Sequence, residues 1–153
     1  MKVLALTLAV ATLGLATPAT AQTKDVDAKL PIITVYKNPS CGCCALWIEH
    51  VEEYGFETKV YEMRDATALK DRLGVPKGVR SCHVAQVDGY LIEGHVPADL
   101  VEKLLADRPE VAGLAVPGMV VGSPGMDSHA GNAQSYEIVT FTADGTTSVY
   151  AER

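Results

Sequence analysis

Positive charge is scarce in this chain of 153 residues: 13 lysines and arginines stand against 19 acids, for a net charge of −6. An acidic chain without a basic stripe lacks the electrostatic footprint of nucleic-acid or anionic-membrane binding. A long hydrophobic run is missing too. The longest, Val3–Ala16, falls short of the roughly 20 residues a membrane-crossing helix needs. The sequence has no internal repeat, no low-complexity tract and no long block of like charge. Asp65, Asp71 and the other carboxylates show no paired acid–base arrangement. Cysteine is limited to four residues, and three of them sit on one turn, so a framework of structural disulfides closing long loops is a poor explanation of them.

At the amino terminus, Lys2 is followed by the Val3–Ala16 run and then by "TPATA", in which Ala19-Thr20-Ala21 supplies an A-x-A cleavage pattern. This predicts a signal peptide over residues 1–21, cleaved after Ala21. Its removal takes away one lysine and no acid, so the mature chain is more acidic still. No membrane attachment is expected after cleavage. Residues 22–153 suit one domain with a modest core.

The remaining pattern alternates strands and helices. "PIITVY" (31–36) reads as a buried strand. Asn38, Pro39 and Ser40 form a turn with Ser40 as the expected helix N-cap, and a helix runs over 41–54 until Gly55 stops it. A second strand is predicted over 57–63 and a short helix over 66–73. "HVAQV", the Asp88-Gly89 turn and "YLIEGH" predict a β-hairpin over 83–95. Pro97 opens a helix to about Asp107. Residues 113–134 are rich in glycine, proline and serine and are expected to form an irregular arm, and 136–152 read as a closing hairpin. The expected fold class is therefore α/β: a thioredoxin-like mixed sheet flanked by helices, with a carboxy-terminal Gly/Pro-rich arm and a β-hairpin.

Chemistry concentrates in "NPSCGCCALW" (38–47). Cys41 and Cys44 form C-x-x-C at a helix start, the arrangement of dithiol redox proteins. Cys41 and Cys43 form C-x-C, a spacing that recurs in soft-metal sites. A helix N-terminus favours thiolate, which is both the nucleophile and the metal ligand, so acidity does not separate the two readings. The expected fold brings Cys82 and His83, from the loop before the hairpin, up to that turn. Four thiols and an imidazole exceed what a dithiol exchanger needs. They suit a soft metal, Cu(I) first and zinc second, with adjacent Cys43 and Cys44 served best by thiolates that bridge several Cu(I) ions.

His83 is a candidate ligand, set against a strand-end histidine facing solvent. For His95, binding and a plain strand-end role balance. Met119 and Met126 repeat a "PGM" unit in the arm, where there is little core for them to fill, and are candidate thioether ligands or lid residues. His50 is expected to be structural or exposed, and His129 a loop residue.

"YKNPSCGCCALWIEHVEEYGF", "SCHVAQVDGYLIEGHVPA" and "GLAVPGMVVGSPGM" together resemble the CopG-type periplasmic copper-resistance proteins, over about Tyr36 to Tyr150. The resemblance implies a periplasmic protein of thioredoxin-like fold with a copper cluster bridged by the thiolates of Cys41, Cys43, Cys44 and Cys82. It also implies a role in copper tolerance, through binding, storage or Cu(I)/Cu(II) cycling. His83, Met119 and Met126 are the candidates to complete the cluster, and other periplasmic copper-handling proteins are the candidate partners. Two alternatives stay open: a thiol–disulfide oxidoreductase using Cys41 and Cys44, and a copper chaperone. Copper cycling or disulfide exchange would make the protein an oxidoreductase, and storage alone would not.

Overall fold

The computed structural model describes residues 29–126 and 133–153. The predicted signal peptide with its Ala21 cleavage point, and His129, lie outside the described residues. Among those described, no helix is long and apolar enough to cross a membrane.

The predicted mixed sheet flanked by helices is present. In chain order the elements are β1 (Ile33–Lys37), α1 (Gly42–Tyr54), β2 (Thr58–Glu62), α2 (Thr67–Leu73), β3 (Val84–Val87), β4 (Tyr90–Glu93), α3 (Ala98–Asp107), β5 (Gly113–Ala115), β6 (Glu137–Phe141) and β7 (Thr147–Glu152). The seven strands form one sheet in the order β2-β1-β3-β4-β5-β6-β7. The β1–β2 and β4–β5 pairs are parallel and the other four antiparallel.

Period-two alternation sorts the central strands between two cores. Ile33, Val35, Ala85, Val87, Ile92, Leu114 and Ile138 face one side, where they meet Trp47 and Val51 of α1 and Val101 and Leu104 of α3. Val84, Leu91, Ala115 and Phe141 face the other, with Val75 and Val79 and with Leu69 and Leu73 of α2 packed against them. The helices thus cover both faces of the sheet centre. Cys44, Trp47 and Val51 are the buried residues of α1, and their i, i+3, i+7 spacing fixes which stripe of the helix faces inward.

Both α1 and α2 end in paired backbone bonds that satisfy their last carbonyls. Gly55 N–H donates to Glu52 O and Phe56 N–H to Val51 O; Gly74 N–H donates to Asp71 O and Val75 N–H to Lys70 O.

Two expectations need correction. The N-cap of α1 is Cys41, not Ser40. The Ser40 N–H is taken by the Asn38 side-chain oxygen at 2.9 Å, and the Cys41 N–H by the Asn38 carbonyl at 3.0 Å, so the Asn38 turn uses Ser40 and hands the cap to the cysteine. The arm is also not irregular throughout. Its first residues form β5, inserted between β4 and β6. Gly113 makes this fit, because a β-carbon there would overlap the Leu91 carbonyl of the neighbouring strand.

Candidate metal centre

The cysteine turn begins where β1 ends. Cys41 caps α1, and Gly42, Cys43 and Cys44 are its first three residues. Cys44 points into the protein and is fully buried, while Cys41 and Cys43 are half-buried. Cys82 arrives from the loop ahead of β3. The ligand atoms of all four cysteines lie within 4.8 Å of one another. Cys41 and Cys44 are joined by a disulfide, and Cys43 and Cys82 are free thiols. Each free thiol touches one half of the bridge: Cys43 Sγ is 3.5 Å from Cys41 Sγ, and Cys82 Sγ is 3.4 Å from Cys44 Sγ.

Cys82 also belongs to a second group. Its sulfur lies 3.1 Å from His95 Nε2 and 3.5 Å from His83 Nδ1, and the three residues form a compact set of ligand atoms. His95 Nδ1 sits 2.7 Å from the Pro124 carbonyl. A carbonyl can only accept, so Nδ1 carries the proton and the neutral ring directs its Nε2 lone pair at Cys82. His83 is fully buried, with its ring centroid 4.5 Å from that of Trp47 and 5.1 Å from that of His95. Its Nε2 has no hydrogen-bond partner among the described residues.

Burial sets the protonation. It lowers His83 well below the usual imidazole range, helped by the charges of His95, Lys70 and Lys37. It lowers His95 too, against the pull of the Pro124 carbonyl. Both rings are therefore neutral at pH 7, the form that ligates metal. Burial, reinforced by the charge of Cys43, pushes the Cys82 thiol up to about 11. A cation at the sulfur would reverse that preference.

A buried ion pair holds the cysteine loop from beneath. Lys70 of α2 pairs with Glu93 of β4, and both side chains are almost wholly shielded from solvent. Glu93 Oε1 accepts the Ser81 N–H at 2.6 Å, and Lys70 Nζ donates to the Ser81 carbonyl at 2.7 Å. One residue ahead of Cys82, the peptide groups on either side of Ser81 are thus fixed by opposite members of one pair. The Ser81 hydroxyl donates to the Gly118 carbonyl, tying the loop to the arm. Burial raises the Glu93 carboxyl above its ordinary range, against the opposing pull of Lys70 and of the Ser81 N–H.

The arm closes over this region. Besides Gly118 on Ser81 and Pro124 on His95, Gly125 lies flat on the first turn of α1. A β-carbon there would stand 2.6 Å from Cys43 O and 2.7 Å from Trp47 N. Met119 is 57% exposed and Met126 half-buried.

The structure brings Cys41, Cys43, Cys44 and Cys82 together in one group and Cys82, His83 and His95 in another, the last a residue for which the sequence left binding and a plain strand-end role in balance. His50 is structural: its Nε2 accepts the Ala98 N–H at the start of α3. The donors fit a soft metal ion, being four sulfurs and two neutral imidazoles, one of which carries a buried nitrogen without a partner. The disulfide must be reduced before all four sulfurs can ligate.

A family model described as "Protein of unknown function, DUF411" matches residues 79–126, a span that holds Cys82, His83, His95 and the arm to Met126 but not the cysteine turn. Two solved structures are similar over most of both chains. "Copper resistance protein copG- Form 2" is 44% identical, with a TM-score of 0.76, over 81% of this chain and 98% of that one. "Copper resistance protein copG- Form 1" is likewise 44% identical over the same shares, with a TM-score of 0.75. No curated protein matches the chain.

Proposed function

The chain belongs to the family of the copper resistance protein CopG, and from that membership we propose that it binds copper in the service of copper tolerance, holding several Cu(I) ions on bridging thiolates. Copper is cargo in this reading, stored or cycled between Cu(I) and Cu(II). The observation that carries it is the convergence of four cysteine sulfurs within 4.8 Å, sharing Cys82 with His83 and His95. Bridging thiolates are the economical use of such a set, because one tetrahedral ion leaves adjacent Cys43 and Cys44 competing for the same place. The ligands proposed are Cys41, Cys43, Cys44, Cys82, His83 and His95, with Met119 and Met126 as thioether ligands or cover. The protein works in the periplasm after cleavage at Ala21, as one thioredoxin-like unit, beside other copper-handling proteins.

The deciding experiment titrates the anaerobically reduced mature chain with Cu(I), counting bound copper and remaining free thiols together. More than one copper per chain, with all four thiols consumed, is the expected result. Saturation at a single ion overturns the cluster and favours a chaperone.

One observation supports a second reading. The Cys41–Cys44 disulfide is the oxidised form of a C-x-x-C exchanger, as a thiol–disulfide oxidoreductase would carry. That reading requires Cys82→Ser to retain disulfide-reductase turnover and unchanged copper capacity. The copper reading requires Cys82→Ser to reduce copper capacity as much as Cys41→Ser or Cys44→Ser does.

A further inference from the structure

The disulfide and the two free thiols are arranged as more than an oxidised pair with two bystanders. Cys44 is the inner half of the bridge, fully buried and closed to external thiols. The free sulfur in contact with it is Cys82, at 3.4 Å. The outer half, Cys41, caps α1, where the helix N-terminus stabilises a departing thiolate and makes Cys41 the better leaving group. Exchange between these sulfurs needs a closure to the ~2.05 Å of a disulfide bond and a swing of Cys82 into line with the bond that breaks.

We propose that the disulfide of this protein has two resting places, Cys41–Cys44 and Cys44–Cys82, which interconvert by direct exchange, so that the oxidised chain presents a free Cys41/Cys43 dithiol to a soft monovalent cation. The step is isoelectronic. The Cys82 sulfur attacks Cys44 Sγ, 3.4 Å away, and gives up its proton to solvent. The Cys44–Cys82 bond forms as the Cys41–Cys44 bond breaks. The electron pair leaves on Cys41 Sγ, which takes a proton from solvent. No external oxidant or reductant takes part.

The two bridges differ in what they constrain. Cys41–Cys44 spans three positions and restricts the unfolded chain little. Cys44–Cys82 spans 38 and ties α1 to the loop before β3, so it restricts the unfolded chain far more and stabilises the fold by that difference. Migration of the bond also separates the cysteines by role. Buried Cys44 and half-buried Cys82 carry the oxidation, and the C-x-C pair, with its sulfurs 3.5 Å apart, stays available to thiophilic ions. The exchange itself does not rest on the copper reading and is tested without metal.

Trypsin places Cys41, Cys43 and Cys44 on the peptide 38–59 and Cys82 on 81–103. The test incubates the oxidised, metal-free mature chain with iodoacetamide for minutes to hours, the range of uncatalysed disulfide rearrangement. It is then quenched in acid and digested without reductant. The two peptides are expected to become linked through Cys44 and Cys82 while alkylated Cys41 accumulates to the same extent. Cys43→Ser should link equally well, and Cys41→Ser, oxidised with glutathione disulfide, should form Cys44–Cys82 almost completely. Cys82→Ser should hold the Cys41–Cys44 bridge and leave Cys41 unalkylated. The proposal is overturned if Cys41→Ser stays unlinked, if the natural chain keeps both peptides separate, or if Cys41 is released as fast in Cys82→Ser.

Discussion

His95 Nε2 and the Cys82 sulfur face each other at 3.1 Å across the open end of the β3–β4 hairpin. Because the Pro124 carbonyl holds the Nδ1 proton, the lone pair toward the sulfur is fixed in direction as well as position. His95 is thus a better-placed imidazole donor than His83, whose nearer nitrogen is 3.5 Å from the same sulfur. His95→Ala is expected to weaken the most loosely held Cu(I) by ~10-fold or more while the reduced apoprotein keeps its fold. Competition with a Cu(I) chelator measures this, and unchanged affinity removes His95 from the ligand set.

That relationship was available in the sequence. A two-residue turn at Asp88-Gly89 sets the pairs Val87 with Tyr90, Gln86 with Leu91, Ala85 with Ile92 and Val84 with Glu93, as observed. Continuing two residues beyond the strand ends sets Cys82 opposite His95. Alternation and turn chemistry also located the central strands β1, β3 and β4, because burial on a sheet face enforces a period of two. The Ser81 clamp was not legible. A lysine at position 70 and a glutamate at 93 look like surface charges until α2 is packed against β4. The cap on Cys41 and the β5 strand were missed for a similar reason. A side-chain bond from Asn38 and a backbone approach at Gly113 decide them, and neither leaves a periodic mark.

The Lys70–Glu93 pair gives a second expectation. Removing one partner leaves a charge uncompensated in a shielded site, at ~3–5 kcal/mol, so Glu93→Ala should lose much of the chain's stability in urea. The double variant Lys70→Met/Glu93→Met replaces the pair with apolar groups of similar length and should recover most of that stability. It frees the Ser81 peptide, however, and should still bind copper less tightly than the natural chain. A double variant with full copper affinity would reduce the pair to a structural role.

Two glycines of the arm separate backbone freedom from close packing. Gly118 and Gly125 have nearly the same φ, +74° and +78°, but a β-carbon at Gly118 meets nothing within 4 Å, whereas one at Gly125 meets the α1 backbone. Both alanine variants bear a similar conformational cost, roughly 1 kcal/mol. Gly125→Ala should add ~1–3 kcal/mol for overpacking and lift the Pro124 carbonyl from His95. Denaturant midpoints of the two variants, compared side by side, isolate the packing share; equal losses would mean that the arm does not bear on α1.

The thioether expectation turns on exposure. Met119 is 57% exposed and Met126 half-buried, so replacing both with leucine, similar in volume, should change stability by less than ~1.5 kcal/mol. Bound Cu(I) should nonetheless oxidise faster in air, as the arm loses its soft donors. Unaltered oxidation and affinity would make these methionines ordinary surface and packing residues.

Trp47 supplies a reporter for the whole centre. It is the single tryptophan of the chain, and its indole N–H is anchored to the Val96 carbonyl at 2.9 Å, which holds the ring against His83. Cys44, three residues earlier on the same buried face of α1, puts the sulfur cluster beside it. Copper entering the thiolates should therefore quench the indole emission in step with loading, whereas an ion captured by exposed carboxylates elsewhere should leave it unchanged. The stepwise form of the loss is informative. Emission that falls until the last thiol is consumed fits a multi-ion cluster built around Cys44 and Cys82. Quenching that is complete after the first ion fits a single site near His83, with any further copper held elsewhere. Trp47→Phe keeps the apolar bulk but strands the Val96 carbonyl, at ~1–3 kcal/mol, so the fluorescence must be read in the natural chain. A titration in which copper is retained and the emission never changes would place the bound metal away from this turn.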